Sequence, residues 1–149
     1  MSTETELIGK WTLLAWEQVY DDGRIEYPMG EKLEGFIRYS ADGGMMCMLS
    51  RADRPAFVSG GQWSASAEEK AAAYDSMLCY AGRYQRDGDL ISHHVEMSLF
   101  PNWKGGTQKR RVEKLAGSEL VLIARLEEGS AEARTSRLIW RRVENRGDQ

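Results

Sequence analysis

Glycines recur at short, regular intervals along this chain, and that spacing limits the fold more than any other feature of the sequence. Turn-forming clusters fall at Asp21-Asp22-Gly23, Pro28-Met29-Gly30, Ala41-Asp42-Gly43-Gly44, Ser59-Gly60-Gly61, Asp87-Gly88-Asp89, Asn102 to Gly106, Ala116-Gly117-Ser118 and Glu128-Gly129-Ser130. Asp-Gly pairs accept the positive φ that tight hairpins require. With 15 glycines against 3 prolines in 149 residues, the chain has many turns and few rigid breaks. Between the clusters lie runs rich in β-branched, aromatic and long apolar residues, which read as strands. They fall near Gly9–Tyr20, Gly35–Tyr39, Met45–Ser50, Gly82–Arg86, Leu90–Phe100, Thr107–Leu115, Leu120–Glu127 and Arg134–Val143, with a short piece at Arg24–Tyr27. Eight or nine sequential hairpin-linked strands can form two sheets or close on themselves, and closure removes both sheet edges. The fold class expected is all-β: a single up-and-down antiparallel β-barrel, one domain over residues 1–149 with an ordered core about 7–143.

One interval breaks the series. Ser66-Ala67-Glu68-Glu69 has the pattern of a capping box, in which the serine oxygen accepts an orphan N–H and the glutamate reaches back. Ala71, Ala72 and Ala73 follow, with high helix propensity. Ala67, Ala71, Tyr74 and Leu78 fall on one helical face. A helix over about 67–79 is expected, covering the barrel as a fixed lid or as a gate over a ligand mouth.

Charge and composition narrow the function. The net charge is −3, with a pI of about 5.5, which argues against a nucleic-acid binder. Met1 to Glu6 carries no basic or apolar leader segment. No stretch approaches the roughly 20 apolar residues of a membrane helix. Two cysteines, Cys47 and Cys79, do not make a disulfide framework. A cytoplasmic protein without membrane association is expected. No cofactor is indicated. His93 and His94 are the whole imidazole supply, too little for a multi-histidine metal centre in one chain, and no third ligand stands near His94 and Glu96.

The stretch Leu90–Phe100 carries the candidate chemistry. Side chains alternate faces along a strand. Ile91, His93, Val95, Met97 and Leu99 share one face, and Ser92, His94, Glu96 and Ser98 share the other. With an apolar interior, His93 points in. With a polar interior the assignment flips, and His94 with Glu96 becomes an acid–base candidate. His93, His94 and Glu96 are therefore the candidate catalytic residues. Trp103, in the loop Phe100 to Gly106, either roofs the cavity mouth and stacks on a flat ligand or plugs the space beneath the loop. Tyr39, Tyr74, Tyr80 and Tyr84 each combine an apolar ring with a polar tip, and Tyr39, Tyr74 and Tyr84, with Met97 and Trp103, are candidate ligand contacts. Arg110 and Arg111 are adjacent on a strand, so one points inward. Arg111 is the candidate ligand contact, and Glu96 is the candidate partner of the inward arginine. Arg51, Asp53 and Arg54 read as a local ion pair or as an anion-recognition element. Met45, Cys47 and Leu49 alternate with Met46, Met48 and Ser50, so this strand is read as covered on both sides, by the helix or by a second copy in a homodimer.

Gly9-Lys10-Trp11, opening the first strand, resembles the first-strand signature of lipocalins and the wider calycin group. More specific are Leu7-Ile8-Gly9-Lys10-Trp11, Tyr39 to Gly43, Arg51 to Pro55, Tyr80 to Tyr84, His93 to Glu96 and Phe100 to Gly105. In this order they resemble the bacterial and fungal lipocalin-like domain family over Leu7 to about Val143. The resemblance implies a calycin-like barrel in which Trp11 closes the base and an arginine of the last strand packs across it, with Arg141 the candidate among Arg137, Arg141 and Arg142. Lys109-Arg110-Arg111 is more basic than that pattern. Three functions follow. The first is binding of a small hydrophobic or aromatic molecule in the cavity. The second, implied by the uses of calycin-like barrels, is a small enzyme of secondary metabolism such as a cyclase or isomerase. The third is a solid-cored interaction protein.

Overall fold

A computed structural model describes residues 6–144. Nine strands run in chain order: β1 Gly9–Tyr20, β2 Ile25–Glu26, β3 Leu33–Tyr39, β4 Gly44–Arg51, β5 Met77–Asp87, β6 Leu90–Ser98, β7 Thr107–Ala116, β8 Glu119–Leu126 and β9 Arg134–Arg142. They form one sheet in the order β2-β1-β3-β4-β5-β6-β7-β8-β9, and β9 returns to pair with β1. Eight strands therefore make a closed antiparallel barrel, with β2 as a short flap on β1. The first strand carries both neighbours on one edge. Gly9 to Thr12 pair with β3, Gln18 and Val19 pair with β2, and the other edge runs the length of β9 from Trp11–Arg142 to Tyr20–Arg134.

The base of the barrel is sealed by the first strand's tryptophan. Trp11 is fully buried and donates its indole N–H to the Leu7 carbonyl at 2.9 Å. The guanidinium of Arg142 lies 4.2 Å over the Trp11 ring and donates to the Ile8 carbonyl at 2.8 Å and to the Glu6 carbonyl. The closing arginine is thus Arg142 and not Arg141. Inward Ser136, Leu138 and Trp140 set the parity of β9, so Arg142 falls on their face and Arg141 faces out.

Three bulges interrupt the alternation: at Leu14 of β1, between the β6 residues Val95 and Met97, and at Glu113 of β7. One extra residue transfers every later side chain to the opposite face. Trp16 thereby turns inward, and Met97 turns outward, where it is 75% exposed. Gly82 sits opposite the β6 bulge. A Cβ there would lie 1.9 Å from the His94 carbonyl oxygen, so only glycine admits this close approach.

The helix α1 covers Ala67–Asp75, with Ser66 Oγ accepting from the Glu69 N–H at 3.2 Å as the capping pattern predicts. The Glu69 carboxylate turns instead to the connecting loop, accepting from the backbone N–H groups of Val58 and Ser59. The helix is shorter than the expected 67–79 because Met77 to Tyr80 join β5, pairing with Ser50 to Cys47. No side chain of α1 is buried. Strand β6 likewise ends at Ser98 rather than Phe100. Met45, Cys47 and Leu49 of β4 face the core, whereas on the other face Met46 is 42% exposed, Met48 is half-buried and Ser50 is buried. The tail Asn145–Gln149 lies outside the described residues.

Removing the Trp11 ring leaves a cavity where the base is sealed. Trp11→Ala is expected to lower the unfolding free energy by about 3–5 kcal/mol in a urea titration. Gly82→Ala is expected to destabilise as well, while Gly117→Ala at an open turn gives the smaller loss of a left-handed glycine.

Candidate functional site

Every one of the eight barrel strands contributes a side chain to a central cavity of about 50 Å³. Toward the rim where β4 ends and β5 begins, its wall is apolar: Trp16, Leu49, Leu78 and Leu138. Trp16 holds its ring in place by donating Nε1–H to Ser136 Oγ at 3.0 Å. Deeper, the wall carries Cys47, Tyr80, His93, Arg110 and Trp140.

His93 is 1% exposed and is held on both ring nitrogens. Nε2 lies 2.6 Å from the Tyr39 hydroxyl, and Nδ1 lies 2.7 Å from the Tyr80 hydroxyl. Strand pairing places all three: Tyr39 ends β3, Tyr80 faces Cys47 across β4–β5, and His93 faces Tyr84 across β5–β6. Burial pushes the imidazole down to about 3, with the Arg110 charge acting in the same direction and His94 adding a smaller effect. His93 is therefore neutral at physiological pH. Burial also raises both phenols above their ordinary range and pushes the Cys47 thiol up to about 12. The interior thus holds neutral hydrogen-bonding groups and one fixed cation, Arg110. A neutral imidazole donates through one nitrogen and accepts through the other. One phenol consequently donates a hydrogen bond to His93, and the other accepts one from His93 and keeps its own O–H for a further acceptor. Tyr80 lines the cavity. With the ring proton on Nδ1, the spare phenol proton is that of Tyr80.

The neighbouring candidates separate from this cluster. His94 faces out, with Nδ1 3.0 Å from Thr107 Oγ1 and Nε2 2.9 Å from Gln85 Oε1. It does not pair with Glu96, which is exposed at the bulge. Arg111 also faces out and pairs with Asp89 at 2.7 Å, leaving Arg110 as the inward member of the pair. Arg110 makes no ion pair with Glu96 or any other carboxylate among the described residues. Tyr84 lies inside, its ring edge-on to Tyr39 at 4.8 Å and its hydroxyl donating to the Ser40 carbonyl. Arg51 pairs locally with Asp53 at 3.1 Å, and Arg54 donates to the Ala73 carbonyl at the end of α1.

A second apolar hollow, about 220 Å³, lies outside the rim between the end of α1, the start of β5 and the loop after β6. Tyr74, 45% exposed, lines it together with Met29, Leu99, Phe100 and Trp103. The half-buried Trp103 meets the Tyr80 ring edge-on at 5.7 Å and the Phe100 ring at 5.5 Å. Leu78 borders both spaces. Tyr74 and Trp103 therefore belong to this outer vestibule, whereas Tyr39 and Tyr84 pack within the barrel.

Cavity residues that the sequence does not single out include Tyr80, Trp16, Leu78, Ser136, Leu138 and Trp140. Ser136, Leu138 and Trp140 share the even spacing of β9, a usable signal. Trp16 carried none, because its orientation depends on the bulge at Leu14. Among the described residues no three His, Cys, Asp or Glu side chains are arranged to hold a metal ion. No helix there is long and apolar enough to cross a membrane.

A closed eight-stranded barrel with a polar cluster set in its apolar interior is the architecture of a calycin-like protein. The chain belongs to the lipocalin-like domain family, whose model matches residues 8–143. No curated protein matches the sequence. Among solved structures, an uncharacterized protein from Bacteroides eggerthii DSM 20697 aligns over 92% of this chain and 99% of its own, with 18% identity and a TM-score of 0.47. A redesigned beta barrel aligns over 95% of each chain, with 8% identity and a TM-score of 0.44.

The depressed imidazole fixes a pH dependence. The unfolded histidine, with a pKa near 6.5, binds a proton that native His93 refuses until about pH 3. Its contribution to stability is present above about pH 6.5 and is lost as pH falls toward 3, by up to about 1.4 kcal/mol per pH unit. His93→Gln is expected to flatten the acid side of the stability profile in urea titrations at successive pH values. In NMR, the His93 ring protons of the native protein stay fixed between pH 5 and 8.

Proposed function

We propose that the barrel binds a small hydrophobic or aromatic molecule in its interior, as a carrier, store or sensor. The observation that carries the reading is the pairing of two apolar spaces across Leu78, an inner one with hydrogen-bonding groups on its wall and an outer one lined by aromatic rings. The inner space alone has the volume of one or two waters, given about 30 Å³ for each. A ligand of ordinary size therefore occupies it by turning Leu78 aside and extending into the vestibule under Trp103.

The same groups bear on the enzyme alternative. To give up a proton, the Tyr39–His93–Tyr80 chain must leave a buried phenolate, and to gain one it must form a buried imidazolium. Burial opposes both. This favours a chain that orients a ligand by hydrogen bonds over one that exchanges protons with it. The free thiols of Cys47 and Cys79 are consistent with a reducing, cytoplasmic setting. A homodimer is supported by the outer face, where Met46 and Met97 flank Ala81 on three adjacent strands and both methionines are exposed. Sedimentation velocity tests it: Met97→Lys is expected to yield a smaller species than the parent protein.

The binding reading is tested by solvent extraction of the purified protein with mass spectrometry of the extract, and by titration with the neutral fluorophore 1-aminoanthracene. The parent protein is expected to enhance its emission saturably. Leu78→Trp, which obstructs the passage between the two spaces, is expected to weaken binding at least about tenfold, the effect of about 1.4 kcal/mol. An empty extract with no saturable enhancement would favour the solid-cored alternative.

A further inference from the structure

We infer that the inner cavity is an anion site, taking the carboxylate of an organic acid on Arg110, with the Trp140 indole N–H and the Tyr80 hydroxyl as further donors. This rests on the ligand-binding reading above and specifies which chemistry the inner space selects.

Arg110 is the one charged side chain on the cavity wall. Its guanidinium donates to the Lys109 carbonyl at 2.8 Å and to Gln108 Oε1 at 3.4 Å, both neutral acceptors. Arg24, Arg51, Arg111, Arg125 and Arg137 each hold an aspartate or glutamate, whereas Arg54, Arg134 and Arg142, like Arg110, are held by neutral acceptors, and of these four Arg110 alone lines the cavity. The arginine drawn inward lacks a carboxylate among the described residues. A guanidinium presents five N–H donors in a fork that matches a carboxylate, so donors remain for one. Arg110 is half-buried at the cavity wall, where an entering anion gains a charge-assisted pair with the donors that remain. The Arg110 charge reaches the interior groups around it: it acts on His93, Tyr39, Tyr80 and Cys47 together.

Trp140 supplies an independent observation. It is 1% exposed, it lines the same cavity, and its Nε1 is the one buried side-chain nitrogen or oxygen without a hydrogen-bond partner among the described residues. An indole N–H can only donate, so an acceptor is what it lacks. With the His93 ring proton on Nδ1, the Tyr80 hydroxyl is a third donor of the same kind. Donors left over on Arg110 and on the Trp140 indole favour a ligand group that only accepts, which is what a carboxylate is. The apolar side of the cavity, continued past Leu78 to the aromatic vestibule, suits the body of such an acid.

The probe pair is phenylacetate and 2-phenylethanol, alike in their aromatic body and different in charge, titrated by calorimetry at pH 7. Phenylacetate is expected to bind at least about tenfold more tightly, as hydrogen bonds to a charged group exceed those to a neutral one. Arg110→Gln is expected to abolish the preference, Arg110→Lys to keep part of it, and Trp140→Phe to reduce it. Thermal melts establish that each variant is folded. Equal affinity for the two probes, or a preference that survives Arg110→Gln, would overturn the anion site and leave the ligand-binding reading standing. Absence of binding by both probes would overturn the anion site, and the ligand-binding reading with it where the extract is also empty and aminoanthracene emission is not enhanced.

Discussion

The pairing of β9 with β1 is the constraint on which the rest depends. It converts an open antiparallel meander into a ring, and a ring has an inside that every strand must help fill. Once closed, the geometry leaves little choice. Each strand sends alternate residues inward, the base is sealed by Trp11 under Arg142, and whatever polar side chain falls on an inward position must be satisfied there. His93, Tyr39 and Tyr80 satisfy one another. Arg110 and the indole of Trp140 are left with donors to spare. The candidate site is thus a direct product of closure, because no short stretch of the chain brings these residues together.

The energetic character of the interior follows from its low polarity. Every ionisable group there except the arginine is driven to its neutral form: the imidazole downward, the phenols and the Cys47 thiol upward. A set of neutral, mutually hydrogen-bonded groups is rigid and suited to orientation. A fixed cation beside it gives direction. These properties together describe a recognition site whose selectivity lies in hydrogen-bond donors and charge, within a wall that is otherwise shape and dispersion.

Much of this was legible in the sequence and part of it was not, for a definite reason. Turn clusters at Asp42-Gly43, Asp87-Gly88 and Ala116-Gly117 announced the hairpins, Ser66 announced the start of the helix, and the alternation of Ile91, His93 and Val95 separated the two histidines without fixing which faces inward. Facing was lost wherever a bulge intervened. The extra residue at Glu96 turned Met97 outward, and the one at Leu14 brought Trp16 inward, and neither insertion has a local sequence mark. The assignment between Arg110 and Arg111 needed cross-strand register, which a single strand does not carry, whereas Arg142 over Arg141 follows from the even spacing of Ser136, Leu138 and Trp140. The helix stops short of the expected Cys79. The competing demand was pairing of Met77 to Tyr80 with β4, which outweighs local helix propensity.

The central claim is that the barrel interior holds hydrogen-bond donors reserved for a ligand. The most direct measurement is the Trp140 Nε1–H resonance of ¹⁵N-labelled protein, assigned by its loss in Trp140→Phe and followed as phenylacetate is added. The account predicts that it moves downfield saturably in the parent protein, in step with the calorimetric binding curve, and stays in place in Arg110→Gln. A Trp140 signal that does not move while phenylacetate saturates the protein would contradict it.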